Sequence, residues 1–317
     1  MNIAFAGFRH GHIMGLYQQV KEEGLLFGCF EENDEEREKV SEQFGIDFNF
    51  STYEEILNSD EVDAVAIGDY YQKRGKMVIE ALKHNKHVIC DKPMCTSLEE
   101  LDEIERLAKE KNLQVACMLD LRFRPQVHKA KELVETGKIG DIKIISVTGQ
   151  HPLNYGVRPS WYFEEGKHGG TINDIAIHGI DAIRFIAGKN LTNVEFKKEW
   201  NAYADKEPHF LDSAQFVADM DGVSVMGDVS YASPICDTML PTYWQFRIWG
   251  TKGMLSFNRK EEKVYVYTKT EEVVEGKNVD SDFLSAFLDS VNGKNSLLAT
   301  DEVIESQRQV LKSQKSF

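Results

Sequence analysis

The chain has 317 residues, enough for two domains with separate cores, and its 42% hydrophobic and 28% charged residues are those of a globular protein. A formal net charge of −15 argues against nucleic acid and other polyanionic partners, and no apolar run reaches the ~20 residues of a membrane helix. Of five scattered cysteines, Cys29, Cys90 and Cys117 sit in or beside apolar runs, and Met1 leads straight into a strand pattern, so reduced thiols and a cytoplasmic location are expected.

The first 120 residues alternate strand and helix patterns. "NIAFAG" reads as a buried strand ending in a glycine turn, and "HIMGLYQQVKE" as the helix that follows. "LLFGCFE" is a second strand ending in an acid, and "EENDEEREKVSEQ" the solvated face of a helix. "STYEEILNSDEV" is capped by Ser51 or Thr52, and "DAVAIG" is again a strand. Next come the helix "QKRGKMVIEALKHN" and the strand "HVICDKP", stopped by proline. "SLEELDEIERLAKEKN" opens with a capping box of Ser97 and Glu100, and the strand "LQVACML" closes the series. Such alternation predicts βαβ units: a doubly wound parallel sheet with helices on both faces.

After about residue 121 the texture changes. A helix "VHKAKELVETGKIG", a long strand "DIKIISVTGQ" and a loop-rich stretch "HPLNYGVRPSWYFEEGKHGG" lead to the helix "TINDIAIHGIDAIRFIAG". Six strand patterns without intervening helices follow, from "NVEFKKEW" to "KVYVYT", and two helices end the chain. The reading is an α/β nucleotide-type domain over 1–120 and an α+β domain with a large antiparallel sheet over 121–317.

Three stretches carry chemistry. A glycine turn after the first strand lets backbone N–H groups and a helix N-terminus face a pyrophosphate. In "GFRHGH" only Gly7 of the G-x-G-x-x-G pattern is kept, with Arg9 and His12 in the other slots and Gly11 offset. His10 and His12 invite a metal reading, but no Cys or carboxylate lies near them in sequence to complete a ligand set, so no metal is expected. Glu31, at the end of the second strand, is placed to bind the adenosine ribose hydroxyls and favours NAD over NADP; otherwise it simply begins the acidic helix.

In "HVICDKPM", Lys92 stands at the carboxyl end of a parallel strand, where such sheets bind ligands, unless it is an ordinary surface lysine before a turn. "GGTINDIAIHGIDAIRF" sets Asp174 and His178 four residues apart with Asp181 one turn on. An imidazole there can take a hydroxyl proton as hydride leaves the same carbon, with a carboxylate to orient it. Two metal ligands or a plain i,i+4 ion pair are the alternatives.

Taken in order, the glycine turn, Glu31, "DKP" at 91–93 and "GG…D…H…D" at 169–181 resemble the Gfo/Idh/MocA oxidoreductases, as do "ALKHNKHVICDKP", "LRFRP" and "GTKGML". The resemblance spans essentially the whole chain. It implies an N-terminal Rossmann domain, a C-terminal domain with an open, mostly antiparallel sheet, and NAD(P)-linked dehydrogenation or reduction of sugars, polyols or related small molecules. It carries the roles of active-site lysine to Lys92, of carboxylate to Asp174 and of acid/base to His178.

Cofactor contacts are expected from Gly7, Phe8, Arg9, His10, Gly11 and His12 in the first loop and from Glu31. Gly68, Asp69 and Arg74, in "GDYYQKR" where the family often has Thr-Pro and a histidine, belong to the nicotinamide-ribose side, with Asp91 and Lys92. Asp91 stands where the family more often has Glu. Arg122, Tyr155, Trp161, His168 and Asp174 are the substrate candidates. A homodimer or homotetramer is implied. A non-catalytic NAD(P)-binding sensor on the same fold, a glycosidase acting by transient oxidation and a metal-dependent hydrolase are the competing readings.

Overall fold

The computed structural model describes residues 1–315, in two compact units. The first comprises Met1–Met118, Pro159–Gly169 and Ser281–Arg308; the second comprises Leu119–Arg158, Gly170–Asp280 and the chain from Gln309. The chain first leaves the nucleotide-type unit after Met118. Two later segments return to that unit, which no composition shift announces.

In the first unit β1 (Ile3–Ala6), α1 (Ile13–Glu22), β2 (Leu26–Phe30), α2 (Asp34–Phe44), α3 (Tyr53–Asn58), β3 (Ala64–Ile67), α4 (Tyr71–Lys83), β4 (His87–Cys90), α5 (Leu98–Lys111) and β5 (Val115–Cys117) follow in turn. The sheet order is β2-β1-β3-β4-β5, every pair parallel. β1, β3 and β5 are buried at every residue, as strands covered on both faces must be. Asn33 caps α2 by accepting from Glu36 N (2.8 Å), and Asp34, Glu35 and Glu36 fill its first turn. Much of the acidic run thus sits at the positive end of a helix dipole. Thr52 caps α3 and Ser97 caps α5, while the Glu100 carboxylate reaches back to Thr96 N (3.3 Å), one residue before the cap.

In the second unit come α6 (Pro125–Glu135), β6 (Ile142–Pro152), a π-helical segment (Ile172–Ala176) running into α7 (Ile177–Ala187), and then β7 (Asn193–Trp200), β8 (Ser213–Asp219) and β9 (Ser224–Ser233). β10 (Gln245–Gly250), β11 (Met254–Asn258), β12 (Lys263–Tyr267) and β13 (Glu271–Glu275) complete the sheet. Its order is β13-β12-β11-β10-β6-β9-β8-β7, antiparallel except for β6 with β9. All six expected strands are present; β13, a short run rich in Glu, was not legible as one. One sheet face buries Ile145, Val147, Val225 and Ile248, while the other exposes Ile144, Phe196 and Met226. α8 (Phe283–Val291) and α9 (Thr300–Lys315) end the described chain.

Candidate active site

The first glycine turn is built around a close backbone approach. Gly7 has φ +84°, and a Cβ there would lie 2.7 Å from that of Asp69; one on Gly68 would lie 2.7 Å from the Gly7 carbonyl oxygen. Only glycine lets the ends of β1 and β3 meet so closely. Phe8 N (2.6 Å) and Asn33 N (2.8 Å) donate to the two oxygens of Glu31, which is buried. Burial raises that carboxyl's pKa despite the two N–H donors. Glu31 therefore anchors the loop from beneath, where a ribose-facing role was expected from its place at the end of β2.

Arg9 lies above it, its Nε 3.5 Å from Glu31 and 3.7 Å from Asp69, with its guanidinium 5.4 Å from the Tyr70 ring centre. Among the described residues this buried Nε has no hydrogen-bond partner. The N-terminus of α1 has His12 at its cap with no side-chain hydrogen bond to the helix. Beside β2 a cleft of about 520 Å³ is lined by Glu31, Glu32, Arg37, Thr52, Lys73 and Glu80, among others. Lys73 is taken up by Asp69 (2.9 Å) and Glu32.

His10 turns inward, contrary to the expectation of a cofactor contact. Its Nδ1 bonds Asp91 and its Nε2 lies 3.1 Å from the Tyr71 hydroxyl, itself 3.4 Å from that of Tyr162. Burial pushes the His10 pKa down to about 3 against the pull of Asp91, leaving a neutral ring. Burial works to raise the Asp91 carboxyl, but His10 and Arg74 hold it well below its usual range. Arg74 is also consumed internally: it donates to the carbonyls of Asp69 (2.7 Å), Lys92 (2.5 Å) and Pro93 (3.2 Å) and to Asp91 (3.2 Å). It clamps the backbone that carries Lys92, and being fully buried it replaces the expected cofactor contact with a structural one. Lys92 itself is buried, its Nζ 5.9 Å from the Tyr71 ring centre.

Ligand atoms of His10, His12 and Asp91 lie within 4.8 Å of one another, a grouping that sequence distance concealed. Its charge environment opposes a cation: Arg74 already neutralises Asp91, and the N-terminus of α1 favours anions. The 159–169 segment stands over the same loop, with Trp161 Nε1 donating to the Arg9 carbonyl (3.2 Å) and Lys167 accepting from Gln72 N (3.0 Å). His168 meets the Tyr162 ring edge-on and the Tyr71 ring at a tilt, at 4.6 and 5.4 Å between ring centres.

In the second unit the π-helical segment carries Asp174, whose carboxylate accepts from the Tyr231 hydroxyl. His178 follows in α7, and its Nδ1 lies 3.0 Å from Oδ1 of Asp120, in the 3-10 turn Asp120–Phe123. The other Asp120 oxygen receives Arg259 (3.0 and 3.3 Å) and Arg124 (3.3 Å). Burial would raise the Asp120 carboxyl, yet His178, Arg259 and Arg124 hold it well below its usual range. Sequence spacing gave His178 to Asp174; Asp120 escaped notice because its proximity is tertiary, although an acid just past a parallel strand was a usable signal.

Arg122 is buried against Asp181 through its Nε (2.9 and 3.0 Å) and a terminal nitrogen (2.7 Å). That pairing corrects its assignment as a substrate cation. Tyr155 is exposed and bonded to Glu207 (3.0 Å), so the structure gives it a surface partner where a substrate contact was expected.

Residues 1–119 match the family described as "Oxidoreductase family, NAD-binding Rossmann fold", and residues 127–256 match the GFO/IDH/MocA C-terminal domain. Levoglucosan dehydrogenase of Pseudarthrobacter phenanthrenivorans is 26% identical over 73% of this chain and 65% of its own length. Myo-inositol 2-dehydrogenase of Thermotoga maritima is 26% identical over 61% of this chain and 57% of its own. The matches therefore span less than two thirds of these relatives. A solved oxidoreductase from Agrobacterium radiobacter, in complex with NAD+, L-tartaric acid and magnesium, shares the fold (TM-score 0.82, 17% identity, covering 100% of this chain and 96% of that one). With both of its domains matched in order, the chain belongs to the GFO/IDH/MocA family of oxidoreductases.

Proposed function

We propose that this protein is an NAD-dependent dehydrogenase acting on a CH–OH group of a sugar, polyol or related small molecule. The observation that carries the reading is His178, a nearly buried imidazole with a carboxylate 3.0 Å from Nδ1. The first unit fits the cofactor: an Arg9 Nε that makes no hydrogen bond, a helix N-terminus without a side-chain cap and a glycine turn with no room for Cβ atoms suit a pyrophosphate. The cleft beside β2 suits adenosine, and its surplus of carboxylates supports NAD over NADP.

Bound nicotinamide would accept hydride from the alcohol carbon, or return it to a carbonyl. His178 takes the hydroxyl proton as that C–H bond breaks, the alcohol becoming a carbonyl, and passes the proton to solvent. Lys92, on a backbone fixed by Arg74, polarises the reacting oxygen; Asp174, held by Tyr231, accepts a substrate hydroxyl. Trp161 and His168 supply ring faces for a sugar.

The exposed sheet face, with Phe196 and Met226 along a shallow groove, supports self-association as a homodimer or homotetramer, readable by sedimentation. Four buried free cysteines support a cytoplasmic location, and among the described residues no helix is long and apolar enough to cross a membrane. The test is nicotinamide reduction across a panel of inositols, hexoses and anhydrosugars. Reduction with at least one class is expected; tight NAD binding with no reduction across the panel would favour a sensor.

A further inference from the structure

We infer that Glu32, acting on Lys73, is the residue that discriminates between NAD and NADP, while Glu31 supports the loop and takes no part in that choice. Glu32 neutralises Lys73 and sets an exposed carboxylate in the cleft beside β2, where it repels a 2′-phosphate. The inference rests on the reading of that cleft as the adenosine site.

The two glutamates that follow β2 are in opposite states. The Glu31 side chain is 0% exposed, and its two oxygens accept from Phe8 N (2.6 Å) and Asn33 N (2.8 Å). Engaged beneath the loop, it presents no open oxygen to a ribose. Glu32 has a side chain 60% exposed and lines the cleft. Successive side chains of an extended chain point to opposite sides, so an inward residue is followed by an outward one. Of the four acidic residues in the lining (Glu31, Glu32, Glu54 and Glu80), Glu32 alone contacts Lys73 among the described residues.

Lys73 stands in the first turn of α4, bonded to Glu32 and, at 2.9 Å, to Asp69 in the turn after β3. The neighbouring cations are matched separately. Arg37 donates to Asp34 (2.5 Å) and to the Glu31 carbonyl (3.4 Å), and the Arg9 Nε lies 3.5 Å from Glu31 and 3.7 Å from Asp69. Asp69 is buried and holds Lys73 from within, so Glu32 is the partner that a ligand in the cleft reaches. A lysine ammonium has three N–H donors. Without the Glu32 charge, Lys73 keeps its bond to Asp69 and turns its remaining donors to a phosphate. With Glu32 in place, a ribose 2′-hydroxyl can donate to the carboxylate, whereas a 2′-phosphate meets a like charge and a lysine already neutralised.

The test measures Kd for NADH and NADPH by fluorescence titration of the full chain, without substrate. Wild type should bind NADH more tightly. Glu32→Gln should lower the ratio of the NADPH Kd to the NADH Kd roughly tenfold, the worth of one charge-assisted hydrogen bond. Adding Lys73→Met to Glu32→Gln should abolish that gain, and a gain that persists in the double variant would remove Lys73 from the account. Glu31→Gln should weaken both cofactors alike and leave the ratio unchanged; a ratio that moves there and not in Glu32→Gln would overturn the inference. If Glu31→Gln does not fold, the ratio in Glu32→Gln decides alone. Ser51→Trp, which fills the cleft, separates the two levels of the argument. It should weaken both cofactors, and NADH binding untouched by it would remove the adenosine reading of the cleft. Weakened binding in Ser51→Trp with an unchanged ratio in Glu32→Gln would overturn the inference and leave that reading standing.

Discussion

His10, Glu31 and Arg74 are the residues whose roles changed most between sequence and structure. Each occupies a position where a cofactor contact is expected, and each turns into the protein to hold that position in shape. His10 carries a pH consequence. Its pKa falls from an ordinary 6.5 to about 3 because burial disfavours the imidazolium. A folded pKa below the unfolded one means that the unfolded chain binds the extra proton first. The contribution is complete above pH 6.5 and is lost as pH falls toward about 3. His10→Gln should therefore flatten the acid side of the stability profile in that window, as urea titrations at stepped pH would show. A parallel offset at all pH values would mean that His10 contributes packing alone.

At the scale of elements, the alternating half was readable because parallel strands and amphipathic helices carry strong periodicity, and caps such as Thr52 and Ser97 mark helix starts. The antiparallel strands β7 to β12 were readable for the same reason. The π-helical segment before α7 was not, since an apolar run tolerates an extra residue per turn without altering its pattern. Nor were Asp120 with His178 and Arg122 with Asp181, pairs made by folding across about sixty residues. The Arg122–Asp181 pair fastens the 3-10 turn that carries Asp120 to the helix that carries His178. Arg122→Met leaves a buried carboxylate uncompensated, and should cost about 3–5 kcal/mol in urea unfolding. A substitution that spares stability but raises substrate KM would return Arg122 to the substrate site.

For the whole molecule, the sequence made the family legible through the order and spacing of short motifs, each weak alone. It could not say which motif residues face a ligand, because orientation depends on partners distant in the chain. The central claim is that NAD-linked turnover on a CH–OH substrate runs through His178. The most direct measurement compares wild type and His178→Asn for NAD affinity and for steady-state nicotinamide reduction with an active polyol or sugar. Unchanged NAD binding with kcat lower by roughly 10²–10⁴-fold is the expected result; wild-type kcat in His178→Asn would contradict the account.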